Sequence, residues 1–247
     1  MVGQFLVRGM LAGVVAGLLT FGFAKVYGEP NVDQAISLEE KAAAAHGEVH
    51  EEELVSRPTQ AGIGLFTGVM VFGTAVGGLF ALVFSYAYGR AGKLSVRALS
   101  AWLALAAFIA LVLVPSLKYP ANPPSIGEPE TIGYRTGLFF LMIVISITAM
   151  VFSLKVRRRA LARCGAWNAS LIGGGVFVVI IAAVQIALPV INEVPASFPA
   201  TLLWQFRLSA LGMQFILWTT IGLLFGWLVE RSLHNNHRAH AVGPSSR

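Results

Sequence analysis

The chain has 247 residues, of which 56% are hydrophobic and only 12% are charged. A soluble domain carries about a quarter charged residues, so this composition argues against a soluble enzyme, a disordered protein and a nucleic-acid-binding protein. It is typical of a protein that crosses a membrane several times, in which the position of each charge matters more than the net charge of +6. The single cysteine, Cys164, excludes an internal disulfide and a thiolate metal cluster.

Six apolar stretches are long enough to cross a membrane as helices, since a core of about 30 Å needs about 20 residues at 1.5 Å each. They cover residues 5–27, 62–88, 97–117, 133–155, 168–190 and 207–229. We interpret the first stretch as an uncleaved span, with a cleaved signal peptide as the alternative.

Charge is distributed unevenly between the segments that join these stretches. Basic residues concentrate in 89–97, in 155–163 and in the tail, whereas every acidic residue except Glu230 lies in the alternate segments. The positive-inside rule therefore predicts an all-α integral membrane protein with six transmembrane helices and both termini in the cytoplasm. We expect a single membrane domain over 1–230, a partly helical outer loop over 28–61, and a flexible cytoplasmic tail over 231–247.

The predicted outer loop carries a candidate metal site. Ser37-Leu38-Glu39-Glu40 resembles a capping box, and the alanine-rich run after it favours a helix. Spacings of seven, four and three residues would place four potential ligands on one stripe of that helix, namely Glu39, His46, His50 and Glu53. Imidazole and carboxylate ligands suit cobalt, nickel, zinc or iron(II). The alternative is a solvated acidic loop with two incidental histidines.

Three arginines stand near the starts of predicted helices that return from the outer side, where they oppose both the positive-inside bias and the helix dipole. They are Arg57, Arg135 and Arg207. We expect acidic side chains in the outer loops to compensate them. The predicted outer mouth of the protein therefore also includes Glu29, Asn122, Glu128, Glu130 and Glu193.

Two further patterns have competing interpretations. His234, His237 and His240 follow one another at intervals of three and are either a ligand set on the inner side or part of a solvated tail. Glycines four residues apart, such as Gly9 and Gly13 or Gly73 and Gly77, favour close helix packing, either within the chain or with a partner span.

Signatures of catalysis are missing from the sequence. It contains no phosphate-binding loop, no His-Glu-x-x-His and no Gly-x-Ser-x-Gly motif, which predicts a protein that is not an enzyme and binds no nucleotide. No Asp, Glu or His falls in the middle of any predicted span, although ion-coupled transporters usually place one there.

Several short runs, spread over nearly the whole chain, carry a family resemblance. The most specific is Lys118-Tyr119-Pro120-Ala121-Asn122-Pro123-Pro124, and the others lie within 5–13, 23–30, 52–62, 134–136 and 204–208. Through them the chain resembles the CbtA family of predicted cobalt transporter subunits. The resemblance implies a role in bacterial cobalt uptake for cobalamin synthesis, together with a small, single-span, histidine-bearing partner of the CbtB type. The family is usually described with five spans, whereas the charge pattern here requires an even number.

Our leading hypothesis is a lipid-embedded subunit of a divalent-metal uptake system in the bacterial inner membrane. Cobalt is the favoured substrate, captured at the outer loop, and the single-span subunit is the expected partner. The alternative is a non-transporting scaffold or assembly subunit, alone or as an oligomer, of a larger metal-dependent membrane complex.

Overall fold

The structure, a computed structural model, describes residues 2–46, 55–92, 94–124 and 126–241, with the side chains of all but 45–46 and 236–241. These residues form helices joined by short connections, and no strand occurs among them. The α-helices are α1 (Val2–Phe23), α2 (Glu29–His46), α3 (Arg57–Thr59), α4 (Leu65–Ala87), α5 (Val96–Ala107), α6 (Val114–Lys118), α7 (Ile132–Ala187) and α8 (Ala200–Ala241). A 3₁₀ turn, Pro129–Thr131, leads into α7.

Five helical runs among the described residues are long and apolar enough to cross a membrane. They are Val2–Ala44, Arg57–Ala87, Val96–Lys118, Pro129–Ala187 and Ala200–Asn235. The protein is therefore a multi-pass membrane protein built from helices. The single run Pro129–Ala187 contains the predicted stretch 133–155 and all but the last three residues of the predicted stretch 168–190.

That run is not straight, because α7 is interrupted at Gly165, where φ is 74° and ψ is 171°. The Arg157 Nε donates to the Ser170 Oγ at 3.0 Å. A Cβ on Gly173 would lie 3.2 Å from the Ser153 carbonyl oxygen. In a straight helix, residues 153 and 173 would stand roughly 30 Å apart. The chain therefore reverses at Gly165, and the two arms of α7 pack side by side.

Three π-helical segments widen the helices: Ala24–Gly28, Gln60–Gly64 and Phe108–Leu113. Pro30 and Pro115 each stand just after such a segment, and proline at position i can neither bond to nor fit against the carbonyl of residue i−4. Those carbonyls, of Val26 and Leu111, lie inside the widened segments, so the extra width accommodates the proline rings without ending the helix.

The first helix consequently continues from α1 through Ala24–Gly28 into α2, as far as His46. The capping-box interpretation of Ser37 is wrong, since Ser37 lies inside α2 and its Oγ donates to the Gln34 carbonyl at 2.9 Å. A helix that is already propagating needs no N-terminal cap, and its serine bonds back to the preceding turn instead.

The chain divides into two compact units. The first unit comprises the described residues of Met1–Pro30, Ala42–Leu105 and Gly212–Arg247. Phe5, Phe84 and Phe225 form a buried aromatic cluster in it, with Phe5 and Phe225 meeting the Phe84 ring edge-to-face at centroid distances of 5.7 and 4.9 Å. Arg97 pairs with Glu230 in the same unit, and the glycines of α1 and α4 bring those two helices into close contact there.

The second unit comprises Asn31–Lys41 and the described residues of Ala106–Leu211. Its core joins α6 to both arms of α7 through Val114, Met142, Ala149 and Ile181. Asn31 at the start of α2 also belongs to this unit, where its Nδ2 donates to the buried Ser209 Oγ of α8 at 3.2 Å. This packing positions the connections before α7 and after it.

Candidate functional site

A cleft of about 390 Å³ lies within the second unit, between the connection that follows α6 and the connection that follows α7. Its polar lining includes Tyr119, Asn122, Arg135, Glu193 and Arg207. The apolar part of the lining includes Ile126, Ile132, Phe139, Ile191 and Val194. Four residues of the predicted outer mouth therefore share one cleft: Asn122, Arg135, Glu193 and Arg207.

Arg135 and Glu193 form an ion pair in this cleft, with the Arg135 Nε 3.3 Å from the Glu193 Oε2. The same carboxylate oxygen accepts the Glu128 backbone N–H at 2.9 Å. The pKa of Glu193 lies below its ordinary value. The causes are hydrogen bonding by the Thr131 hydroxyl, the hydrogen bond from the Glu128 N–H and the positive charge of Arg135, and together they outweigh the opposing effect of burial. Glu193 is therefore an ionised carboxylate that already has partners within the protein.

Gly127 makes room for this pair. Its φ of 112° favours glycine, and a Cβ there would overlap the Arg135 guanidinium. Arg135 Nη2 also donates to the Glu128 carbonyl at 3.3 Å. The loop before α7 thus wraps around Arg135, and Glu128 contributes through its backbone.

Arg207 has a different environment. Its Nη2 donates to the Asn122 Oδ1 at 2.9 Å and its Nε to the Ala121 carbonyl at 3.3 Å. Both acceptors are neutral, and no ion pair to Arg207 occurs among the described residues. The guanidinium is held in place while its charge stays uncompensated.

The segment Lys118–Asn122, part of the most family-specific run, is anchored to the end of α7. Lys118 Nζ donates to the Gln185 carbonyl at 2.6 Å, and the Gln185 side chain donates to the Val114 carbonyl at 3.2 Å. Tyr119 OH donates to the Pro189 carbonyl at 2.9 Å, and burial together with the nearby Tyr134 raises the pKa of the Tyr119 hydroxyl. These bonds fix one wall of the cleft.

The other predicted mouth residues lie elsewhere. Arg57 and Glu29 form an ion pair in the first unit, in which the Lys25 Nζ donates to the Ala61 carbonyl at 3.1 Å. Glu130 is exposed on the 3₁₀ turn before α7. The expected compensation of arginines by loop glutamates is therefore present for Arg57 and Arg135, whereas Arg207 has amide and carbonyl partners instead.

The candidate metal ligands of the outer loop are only partly within the described chain. Glu39 lies on α2, and His46 is the last residue of that helix, so the helical spacing of seven between them is present. His50 and Glu53 lie outside the described residues. Among the described residues, no group of three or more His, Cys, Asp or Glu side chains is arranged to hold a metal. The four-residue site stays a prediction.

The histidines of the tail lie on the last turns of α8, which extends to Ala241. His234 is exposed, and its Nδ1 lies 3.0 Å from the Glu230 carbonyl oxygen. The side chains of His237 and His240 are outside the description, so an inner ligand set is untested.

Sequence reasoning missed the Lys118–Gln185 link, the role of Thr131 and the need for glycine at 127. The separation of Lys118 from Gln185 is 67 residues, and no local pattern encodes such a contact. The run of prolines around Gly127 was a signal for an irregular connection, but not for the guanidinium beside it.

Comparison with known proteins identifies the family. The family model "Probable cobalt transporter subunit (CbtA)" matches residues 2–230. No curated protein and no solved structure shows significant similarity. The match spans every candidate membrane helix except the end of α8, and it includes the whole cleft. The chain therefore belongs to the CbtA family of probable cobalt transporter subunits.

Proposed function

We propose that the protein is a membrane subunit of a cobalt uptake system in the bacterial inner membrane. The observation that carries this proposal is the family match over residues 2–230, because it covers both compact units rather than one motif. The proposed substrate is a divalent metal, with cobalt favoured over nickel, zinc and iron. The protein is proposed to act without nucleotide and without an enzymatic step.

The proposed topology has six crossings with both termini inside. The reversal of α7 at Gly165 supports it, since each arm is long enough to cross a bilayer. The basic residues 155–163 then lie inside, next to the reversal, and the connections that line the cleft lie outside.

Capture is proposed at Glu39, His46, His50 and Glu53, on and beyond the C-terminal end of α2. The helix keeps Glu39 and His46 on related faces because residues seven apart share a side. A small, single-span, histidine-bearing subunit of the CbtB type is the proposed partner. It would supply ligands that the apolar spans of this chain lack.

Cobalt accumulation in cells tests this function. The chain should raise cellular cobalt selectively over nickel and zinc, and only when the single-span partner is present. His46→Ala with His50→Ala should reduce accumulation about tenfold or more at low external cobalt, because two imidazole ligands are lost. Glu40→Gln, which removes a neighbouring carboxylate off the stripe, is the matched control.

Three outcomes would count against the proposal. Unchanged accumulation in the double histidine variant would remove the capture site. Cobalt uptake without the partner would remove the two-subunit mechanism. No change in any metal, with both proteins confirmed in the membrane, would favour the scaffold or assembly role.

A further inference from the structure

The cleft in the second unit is poorly suited to a bare metal cation. Two guanidiniums and one carboxylate line it, so its formal charge is positive. The carboxylate of Glu193 is already engaged by Arg135 and the Glu128 N–H. A divalent cation entering here would meet the uncompensated charge of Arg207 and no free carboxylate among the lining residues.

The same features suit a small organic anion. Arg207 is positioned by neutral acceptors, so its charge remains available to a ligand, and guanidinium is the side chain that best matches carboxylate geometry. Asn122 and Asn192 add side-chain amides, which carry N–H donors, and the isoleucine and phenylalanine walls fit a carbon skeleton. Pockets that bind small molecules combine apolar walls with a few convergent polar groups in this way.

The size of the cleft agrees with that occupant. Its volume is about 390 Å³. Pockets that bind small molecules in proteins have volumes of about 300–1,000 Å³. The cleft therefore has the size of a pocket for an organic ligand of several carbon atoms, with or without a metal ion attached.

We infer that this cleft binds a small organic polycarboxylate of the kind that chelates divalent metals, and so receives the metal as a chelate instead of as a free cation. The arrival of metal in this form rests on the proposed transport function. The binding of the carboxylate does not, because it follows from the charge, hydrogen bonding and volume of the cleft alone.

Ligand-induced thermal stabilisation of the purified protein in detergent tests the inference. The probes are citrate, cobalt citrate and cobalt chloride. Citrate and cobalt citrate should raise the melting temperature, and the apparent affinity should fall with added salt because the attraction is electrostatic. A larger effect of cobalt citrate than of citrate would identify the chelate as the preferred form, whereas equal effects would identify the free carboxylate.

Two variants locate the effect. Arg207→Gln should weaken citrate binding about tenfold or more, the loss expected for one charge-assisted guanidinium contact. Asn122→Asp is the sharper variant, because the new carboxylate keeps the contact to Arg207 while neutralising it. Its melting temperature without ligand should be unchanged or higher, and its response to citrate should be lost. Arg90→Gln, at an exposed arginine far along the chain, is the control.

Several results would overturn the inference: no response to citrate or cobalt citrate in the native protein, an unchanged response in Asn122→Asp, or an equal loss in Arg90→Gln. Cobalt chloride should act equally on the native protein and Arg207→Gln, because any binding at the outer histidines is separate. If stabilisation by cobalt chloride instead grows in Arg207→Gln, where the repelling charge is gone, the cleft takes the bare ion. Uptake assays report on transport separately.

Discussion

The Glu193 side chain takes part in several of the polar contacts that line the cleft. It accepts a backbone N–H from Glu128 and pairs with Arg135 across 58 residues of sequence. Hydrogen bonding by the Thr131 hydroxyl, and then these two contacts, favour the ionised form, so its pKa in the folded protein lies below the ordinary value of 4.5. The ionised carboxylate therefore stabilises the fold above that value, and the contribution is lost as the pH falls through the folded pKa.

Replacing Glu193 by Gln should remove that pH dependence. We expect the variant to melt below the native protein at pH 7 and to lose less stability than the native protein between pH 7 and about pH 3. Melting temperatures in detergent across this range measure both effects. Glu130→Gln, at an exposed carboxylate on the same loop, should keep the native profile. Parallel curves for Glu193→Gln and the native protein would contradict the assigned role.

At the scale of single residues, the sequence indicated that certain arginines needed partners but not always which ones. Burial of a cation near a helix start predicts compensation, and glutamates do pair with Arg57 and Arg135. Arg207 was predicted to have a glutamate but bonds to Asn122, 85 residues away. Such choices depend on how distant loops meet, which no spacing rule reports.

At the scale of helices, α1 and α4 approach closely through facing glycines. A Cβ on Gly77 would overlap the Gly9 carbonyl oxygen and lie 2.9 Å from the Gly13 Cα. Gly13 faces Gly73 in the same manner. These four glycines therefore pack within the chain, as the intramolecular interpretation predicted, and their contact surface is already filled. Docking of a partner span has to use other surfaces.

Gly77→Ala should force α1 and α4 apart and destabilise the protein by about 1–3 kcal/mol, the usual range for overpacking. Gly68→Ala is a matched control in the same helix, since nothing lies within 4 Å of a Cβ placed there. The control should change stability by no more than about 1 kcal/mol, because it alters only helix propensity. Equal melting temperatures for the two variants would show that the glycine contact contributes nothing specific.

The apolar stretches predicted from composition coincide with observed helices. The points at which the helices end, or continue into one another, differ from the prediction. Apolar stretches of about 20 residues mark membrane helices dependably, because lipid offers no partner for free backbone groups. Their ends are harder to predict: α1 continues through a π-helical segment into α2 and past Pro30, and α7 contains a reversal at a single glycine. A proline or glycine in the sequence is compatible with a break, a bulge or a bend, and packing selects among them.

At the scale of the whole molecule, the proposed topology depends on Gly165. If α7 crosses the membrane twice, the residues before and after it lie on one side and the reversal lies on the other. Three acidic residues, Glu128, Glu130 and Glu193, adjoin the ends of the two arms that lie away from the reversal, whereas the basic cluster 155–163 adjoins the reversal. This separation of charge along a single hairpin is the arrangement that the positive-inside rule favours.

The native cysteine tests this arrangement directly, since Cys164 is exposed beside the reversal and is the sole thiol. A membrane-impermeant maleimide should label it only after the cells are permeabilised. In a Cys164→Ser background, Glu130→Cys and Asn192→Cys should both be labelled in intact cells, because both positions are exposed on the proposed outer side. Labelling of these two positions from opposite sides would mean that α7 crosses once. The cleft would then lose its common outer face, and entry of substrate through it would have to be abandoned.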